Sequence, residues 1–317
     1  MSTARINRLF LAGAREADGV EVVALGSRDR ARGEQFAREH GIERAHGSYE
    51  ALLSDPDVEA VYIPLPNSLH IEWTVRALES GKHVLCEKPL SRRVAEVERA
   101  FDVAEREGRL LMEGFMYRHN PQTHQLTELV SSGAIGTLRM VRAAFSFVAN
   151  DAADVRLSRA LDGGGLMDVG CYCVSGTRLI AGEPERVTAQ QVLGGDGVDV
   201  SFAATMQFPG DVLAHFDAGL TLAGRDELEV VGDGGTLFLD DPWHCRTPLI
   251  ELRRADGVER IETPVVDSYR LEAENMSAAI RGEAQPLLGR EDAVGQASTI
   301  EALYEAAGSG QAVAPSR

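Results

Sequence analysis

Between residues 20 and 115, short apolar runs alternate with amphipathic helical stretches, and no other feature restricts the fold as much. "VEVVAL" (20–25), "VEAVYIPLP" (58–66), "KHVLCEKP" (82–89) and "RLLMEGF" (109–115) read as strands. Between or before them, residues 5–16, "RARGEQFAREHG" (30–41), "YEALLSD" (49–55), "SLHIEWTVRALESG" (68–81) and "RRVAEVERAFDVAEREG" (92–108) read as helices with glycine stops. A continuous apolar run such as 20–25 suits a strand buried on both faces. Strands joined through helices of this length make a doubly wound parallel sheet with helices on either side.

After Tyr117 the pattern changes. One helix, "PQTHQLTELVSSGAIG" (121–136), is followed by a succession of strands: 137–148, 185–194, 198–209, 211–221, 226–240 and 249–264. A helix over 164–182 interrupts them, and helices over Tyr269–Arg281 and Glu291–Ala307 close the chain. The expected fold is therefore α/β: a Rossmann-type domain over 1–116, then an α+β domain over 117–317 with a large, mainly antiparallel open sheet.

Composition narrows the function. The 317 residues carry 49 acids against 32 bases, for a net charge of −17. Such a surface repels nucleic acid and anionic membrane, so neither is an expected partner. No apolar run reaches the roughly 18 residues of a spanning helix, and no apolar leader opens the chain, so a cytoplasmic location is expected. Cys86, Cys171, Cys173 and Cys245 form no C-x-x-C pair. Free thiols are expected and no metal site, and His70 lacks a second ligand at suitable spacing.

A doubly wound domain normally opens with a central strand and a glycine loop that brings a pyrophosphate to a helix N-terminus. Here only Met1 precedes Ser2-Thr3-Ala4-Arg5-Ile6, the segment expected to open the first helix, with Ser2 and Thr3 as N-cap residues. The strand at 20–25 ends in Gly26-Ser27-Arg28-Asp29. An NAD site usually places an acid at this end; a serine followed by an arginine suits a 2′-phosphate, which favours NADP with NAD as the alternative. A solvated turn is the competing reading.

Lys88 stands just past the carboxyl end of a buried strand, where open α/β sheets bind ligands, between Glu87 and Pro89. In order along the chain come "IPLPNSLH" (63–70), "VLCEKPL" (84–90), "MEGFMYRHNPQ" (112–122) and "GGGLMDVGCY" (163–172). With these segments the sequence resembles the Gfo/Idh/MocA oxidoreductase family over its whole length from Ser2, and within it the branch of NADP-linked D-xylose and trans-dihydrodiol dehydrogenases. The resemblance implies a Rossmann domain followed by an α/β domain whose open sheet forms a homodimer or homotetramer. It also implies that about one opening strand of the family pattern is missing, through a start assigned too far downstream or a true truncation.

The same resemblance implies hydride transfer between the nicotinamide and a carbinol carbon of a sugar, polyol or cyclic diol. Lys88, Asp168 and Tyr172 match the family's catalytic lysine and its D-x-G-x-Y motif. Tyr172 is the expected proton-transfer group; a free phenol has a pKa near 10, so a cation such as Lys88 has to favour its ionised form. Asp168, four residues earlier, shares its helical face and can hold Lys88 or a sugar hydroxyl. Cofactor contacts are expected from residues 2–6, Ser27, Arg28, Pro64, Leu65, Asn67, His70, Glu87, Lys88 and Arg118. Substrate contacts are expected from Tyr117, Arg156, Asp168 and Tyr172, with a solvated loop arginine as the equal reading of Arg156. A non-catalytic NADP-binding scaffold or sensor is the alternative function, favoured by the missing strand and opposed by the intact Lys88, Asp168 and Tyr172.

Overall fold

The computed structural model describes residues 1–151 and 153–316. They divide into two compact units: residues 1–91, 95–116 and 267–293, and residues 92–94, 117–266 and 294–317. The helix Ser268–Ile280 thus belongs with the first unit, outside the 1–116 span expected from the sequence.

In the first unit the elements run α1 (Asn7–Glu16), β1 (Ala24–Gly26), α2 (Arg30–Glu39), β2 (Arg44–His46), α3 (Tyr49–Leu53), β3 (Ala60–Ile63), α4 (His70–Glu79), β4 (His83–Glu87), α5 (Val94–Glu107) and β5 (Leu111–Gly114). All strand pairings are parallel. They fall into two sheets, β1-β2 and β3-β4-β5. Residues 1 and 2 touch both: the Met1 amine donates to Tyr62 O (2.6 Å) and the Ser2 N–H to Gly26 O (2.7 Å).

Two expectations are corrected here. The run 20–25 forms a strand only over Ala24–Gly26, because β2 offers three partner residues and a strand exists only where it is paired. β2 itself has no apolar alternation to announce it. Around β1, Leu11, Leu25, Phe36, Ala37 and Ile42 make one buried cluster. The helix Ser268–Ile280 packs on α1 at Gly13, where a Cβ would lie 2.5 Å from Arg270 N; only glycine allows that approach.

The second unit contains α6 (Pro121–Ser131), β6 (Leu138–Val148), α7 (Cys171–Ala181), β7 (Arg186–Leu193), β8 (Asp199–Phe208), β9 (Val212–Gly219), β10 (Thr221–Gly232), β11 (Thr236–Asp240), β12 (Leu249–Arg254) and β13 (Gly257–Glu262). The eight strands form one sheet in the order β13-β12-β11-β10-β6-β9-β8-β7, antiparallel except for β6 beside β9. The runs 226–240 and 249–264 each split into two strands at the turns around Gly234 and Asp256. Strand alternation turns Phe202, Ala204, Met206 and Phe208 of β8, with Ala214, Phe216 and Ala218 of β9, inward. α7 packs against this sheet, with Cys171–Arg178 buried. The other face is polar and carries cross-strand ion pairs, Arg142–Glu229 (2.7 Å) and Arg225–Asp217 (2.8 Å). All four cysteines are free and buried. Among the described residues no helix is long and apolar enough to cross a membrane.

One group in the first unit opposes its stability. Glu272 is fully buried, and neither carboxyl oxygen has a hydrogen-bond partner. Burial, reinforced by Glu87, raises its pKa well above the usual carboxylate value. Below the unfolded-state pKa, about 4.3, both states are protonated. As pH rises above it, the unfolded chain ionises while the folded one does not, and stability falls until the folded pKa is passed. Glu272→Gln keeps the shape and has nothing to ionise. At pH 8 it should stabilise the protein by about 1–3 kcal/mol in urea unfolding, and the gain should shrink by pH 5.

Candidate active site

Parallel register sets Ile63 beside Cys86 and Glu87 beside Gly114, so the loops after β3, β4 and β5 leave the sheet at one edge. His70, the first residue of α4, is 1% exposed and ties two of these loops together. Its Nε2 lies 2.8 Å from Leu65 O and its Nδ1 2.9 Å from Pro89 O. Burial, with the Lys88 cation adding to it, pulls the His70 pKa below the ordinary imidazole value, against the opposite pull of the two carbonyls. The Lys88 loop is held from a second side by Glu113, whose Oε1 accepts the Leu90 N–H at 2.7 Å. Glu87 accepts from the Tyr62 hydroxyl at 2.5 Å. Lys88 and Asn67 are half-buried on the loops so fixed, beside the buried Pro64 and Leu65.

The segment 2–6 sits at the carboxyl end of β1. Ser2 and Thr3 do not cap the first helix, which starts at Asn7 with Ile6 at the cap position and no side-chain cap. The Ser2 Oγ instead accepts the Ala4 N–H (3.2 Å), and Asn7 donates to Ser2 O (2.8 Å). Beyond β1, Ser27 is buried; its N–H donates to His46 O and its Oγ accepts the Asp29 N–H. Arg28 is exposed and bonds the Tyr49 hydroxyl, opposing the upward pull of burial on that phenol. Asp29 Oδ1 caps α2 by accepting the Arg32 N–H at 3.0 Å. An uncapped helix start, with exposed arginines 5 and 28 on the segments that bound β1, fits the phosphates of a dinucleotide.

In the second unit, Asp168 lies in a π-helical turn, Leu166–Gly170, that runs directly into α7, and Tyr172 is the second residue of α7. The Arg156 Nε lies 2.8 Å from Asp168 Oδ2, and its Nη1 3.1 Å from Asp154 Oδ2. Asp168 is the chief cause of a raised Arg156 pKa. Arg156 is thus an ion-pair partner of Asp168, not a purely solvated loop residue. The Tyr172 ring, 6% exposed, is surrounded by Phe145 (centroids 5.4 Å apart), Tyr117 (5.8 Å) and Trp243 (6.2 Å).

Tyr117, expected as a substrate contact, is 2% exposed, and its hydroxyl donates to Ser175 Oγ at 2.8 Å. Arg118 also reaches Ser175 Oγ, at 3.3 Å. His119 is buried and its pKa is lowered to about 3 by burial, with help from Arg118 and His124, so it is neutral at ordinary pH. Asp226, Asp241 and His244 bring ligand atoms within 4.8 Å of one another. Arg246 already spans both oxygens of that Asp241, and His244 Nδ1 already meets Asp226 at 2.6 Å.

Sequence reasoning missed Asp199, at the start of β8. It is 2% exposed; its Oδ2 accepts the Leu166 N–H (2.6 Å) and its Oδ1 the Tyr304 hydroxyl (2.9 Å). The available signal was an acid set among apolar strand residues, Val198-Asp199-Val200.

Residues 3–115 match the model of the oxidoreductase family with an NAD-binding Rossmann fold, and residues 123–238 match the GFO/IDH/MocA C-terminal domain. The chain is 40% identical to a D-xylose 1-dehydrogenase (NADP(+)) of Haloferax volcanii, covering 99% of this chain and 98% of that one. It is 38% identical to a trans-1,2-dihydrobenzene-1,2-diol dehydrogenase of Oryctolagus cuniculus, over 73% and 70%. A 3-ketoreductase from Actinomadura kijaniata, solved in complex with NADP and TDP-benzene, superposes with a TM-score of 0.90 at 33% identity, over 96% and 95%. With both parts of the chain matched and close relatives aligned over nearly its whole length, the protein belongs to the Gfo/Idh/MocA family of NAD(P)-dependent oxidoreductases.

Proposed function

We propose that the protein transfers a hydride between NADP and a carbinol carbon of a sugar or cyclic diol. The observation that carries the cofactor choice is the end of β1. Asp29 accepts the Arg32 N–H at the start of α2 with one carboxyl oxygen, and the exposed Arg28 precedes it at the end of β1. A guanidinium at that place favours a 2′-phosphate over a 2′-hydroxyl. The substrate class rests on the relatives, whose names specify D-xylose and a dihydrobenzene diol.

The nicotinamide supplies the hydride chemistry when bound. Tyr172 Oη takes the carbinol proton in oxidation and returns it in reduction. The apolar rings around it shield this proton from water, which strengthens every polar interaction made there. Lys88 is the assigned hydrogen-bond donor and cation of the reaction, on a loop held by His70 and Glu113. Asp168, paired with Arg156, is the assigned acceptor for a substrate hydroxyl.

Two measurements test these assignments. Fluorescence titration should show tighter binding of NADP than of NAD. In Arg28→Ala, NADP affinity should fall about tenfold or more while NAD affinity changes little, as expected from losing one charge-assisted contact. Equal wild-type affinities would overturn the cofactor assignment.

Turnover is read by NADPH absorbance with D-xylose, other aldoses, inositols and cyclic diols. Tyr172→Phe should lower kcat about 10²–10⁴-fold and leave NADP affinity within twofold. NADP binding without turnover on any of these would favour the non-catalytic scaffold.

A further inference from the structure

We infer that Asp199 is the positioning residue of the segment that carries Asp168 and Tyr172; the inference rests on the reading of those two residues as catalytic. The segment is approached through Gly163-Gly164-Gly165, three residues with no side chain to anchor them. Gly164 adopts φ +132°, a conformation that L side chains rarely take. Left to itself, such a turn is free to move, and everything after it moves with it.

The turn is closed from two sides. On one side the Gly163 N–H donates to Ser158 O and the Gly164 N–H to Arg156 O, both at 2.9 Å. On the other side is the Asp199 carboxylate. Its Oδ2 accepts the Leu166 N–H, the first N–H of the π-helical turn, at 2.6 Å. Burial raises the Asp199 pKa, against the opposite pull of the Leu166, Tyr304 and Gly165 donors. A Cβ at Gly164 would run into Asp199 Oδ1, so the loop lies directly on the carboxylate. The Tyr304 hydroxyl, donating to Oδ1 at 2.9 Å, fixes the side chain from behind.

The anchorage is rooted in the sheet. Asp199 opens β8, which is paired on both sides, to β7 and to β9. Its negative charge at the start of a helical segment also meets the positive end of the backbone dipoles. From Asp199 the restraint passes by hydrogen bonds alone. Leu166 is held directly, Asp168 N–H donates to Gly164 O (3.0 Å), and the Gly164–Arg156 bond seats the arginine that pairs with Asp168.

The carboxylate is not sealed in. A cavity of about 260 Å³, lined by Arg92, Arg159, Asp162 and Gln191 among others, reaches Asp199 and Tyr304. Water can therefore replace the lost contacts in a variant, which makes a folded Asp199→Ala a reasonable expectation.

The test compares Asp199→Ala, Asp199→Asn and Tyr304→Phe with Tyr172→Phe. Amide hydrogen exchange over residues 164–172 is read by mass spectrometry on the NADP complex, alongside kcat and NADP affinity. Asp199→Ala should speed exchange in that segment at least about tenfold. It should lower kcat on the order of 100-fold, the usual loss for an active group displaced by about 1 Å, with NADP affinity within twofold. Asn keeps one acceptor for Leu166 and can donate to Tyr304, so it should restore kcat to within about fivefold of wild type. Tyr304→Phe leaves the Leu166 bond and should have the smallest effect.

Should Asp199→Ala prove too unstable to isolate, Asn and Phe still rank the two contacts, and equal effects would overturn the inference. Unchanged exchange and kcat in Asp199→Ala, with Tyr172→Phe inactive, would also overturn it. Faster exchange with an active Tyr172→Phe would instead leave the anchorage standing and remove the catalytic reading of Tyr172.

Discussion

Parallel pairing is the constraint from which the first unit's chemistry follows. Strands that run the same way end at the same edge, so Pro64, Lys88 and Phe115 all begin loops there. The loops are then held by backbone acceptors and donors rather than by packing. His70 meets one carbonyl in each of two loops, and Glu113 meets the Leu90 amide. A neutral imidazole has only one N–H, so only one of its two carbonyls receives a full hydrogen bond. The other is held by the rest of the fold. That arrangement fixes the backbone at Pro89, directly after Lys88.

The second unit solves a different problem, that of keeping ionised groups in place on a segment without side-chain anchors. Burying a charge is costly unless hydrogen bonds surround it. Asp199 accepts from a backbone amide and a hydroxyl, and Asp168 has Arg156. Arg178, 5% exposed, is matched by Glu183 and Gln296 in the same way. Such paired groups rigidify a region because every alternative arrangement leaves a charge uncompensated. Glu272 of the first unit shows the contrast. With no partner for either oxygen, it responds by holding its proton.

How much of this was legible in the sequence depended on whether the signal was local. The end of β4 could be read because an apolar run stops at Glu87-Lys88-Pro89, and α5 because its apolar period stops at Gly108. β2 could not, since Arg44-Ala45-His46 carries no strand pattern and is extended only because β1 pairs with it. The turns around Gly234 and Asp256 were visible as residues but were outweighed by the apolar runs on either side. The partner of Tyr117 was hidden for the same kind of reason: its hydroxyl meets Ser175, 58 residues on. The Arg156–Asp168 pair depends on a glycine turn folding back on itself, and Asp199 on a strand that follows 33 residues after Leu166. No spacing rule connects such residues before the fold does.

The charge balance adds a last constraint on how this protein meets its cofactor. A nicotinamide dinucleotide is anionic, and the chain carries a net charge of −17. At distances beyond the Debye length, about 8 Å in physiological salt, that repulsion is largely screened. Within it, the local groups decide, and the segments that bound β1 carry two exposed arginines, Arg5 and Arg28. Affinity must therefore come from short-range hydrogen bonds and not from steering. A protein arranged this way gives up a fast electrostatic approach.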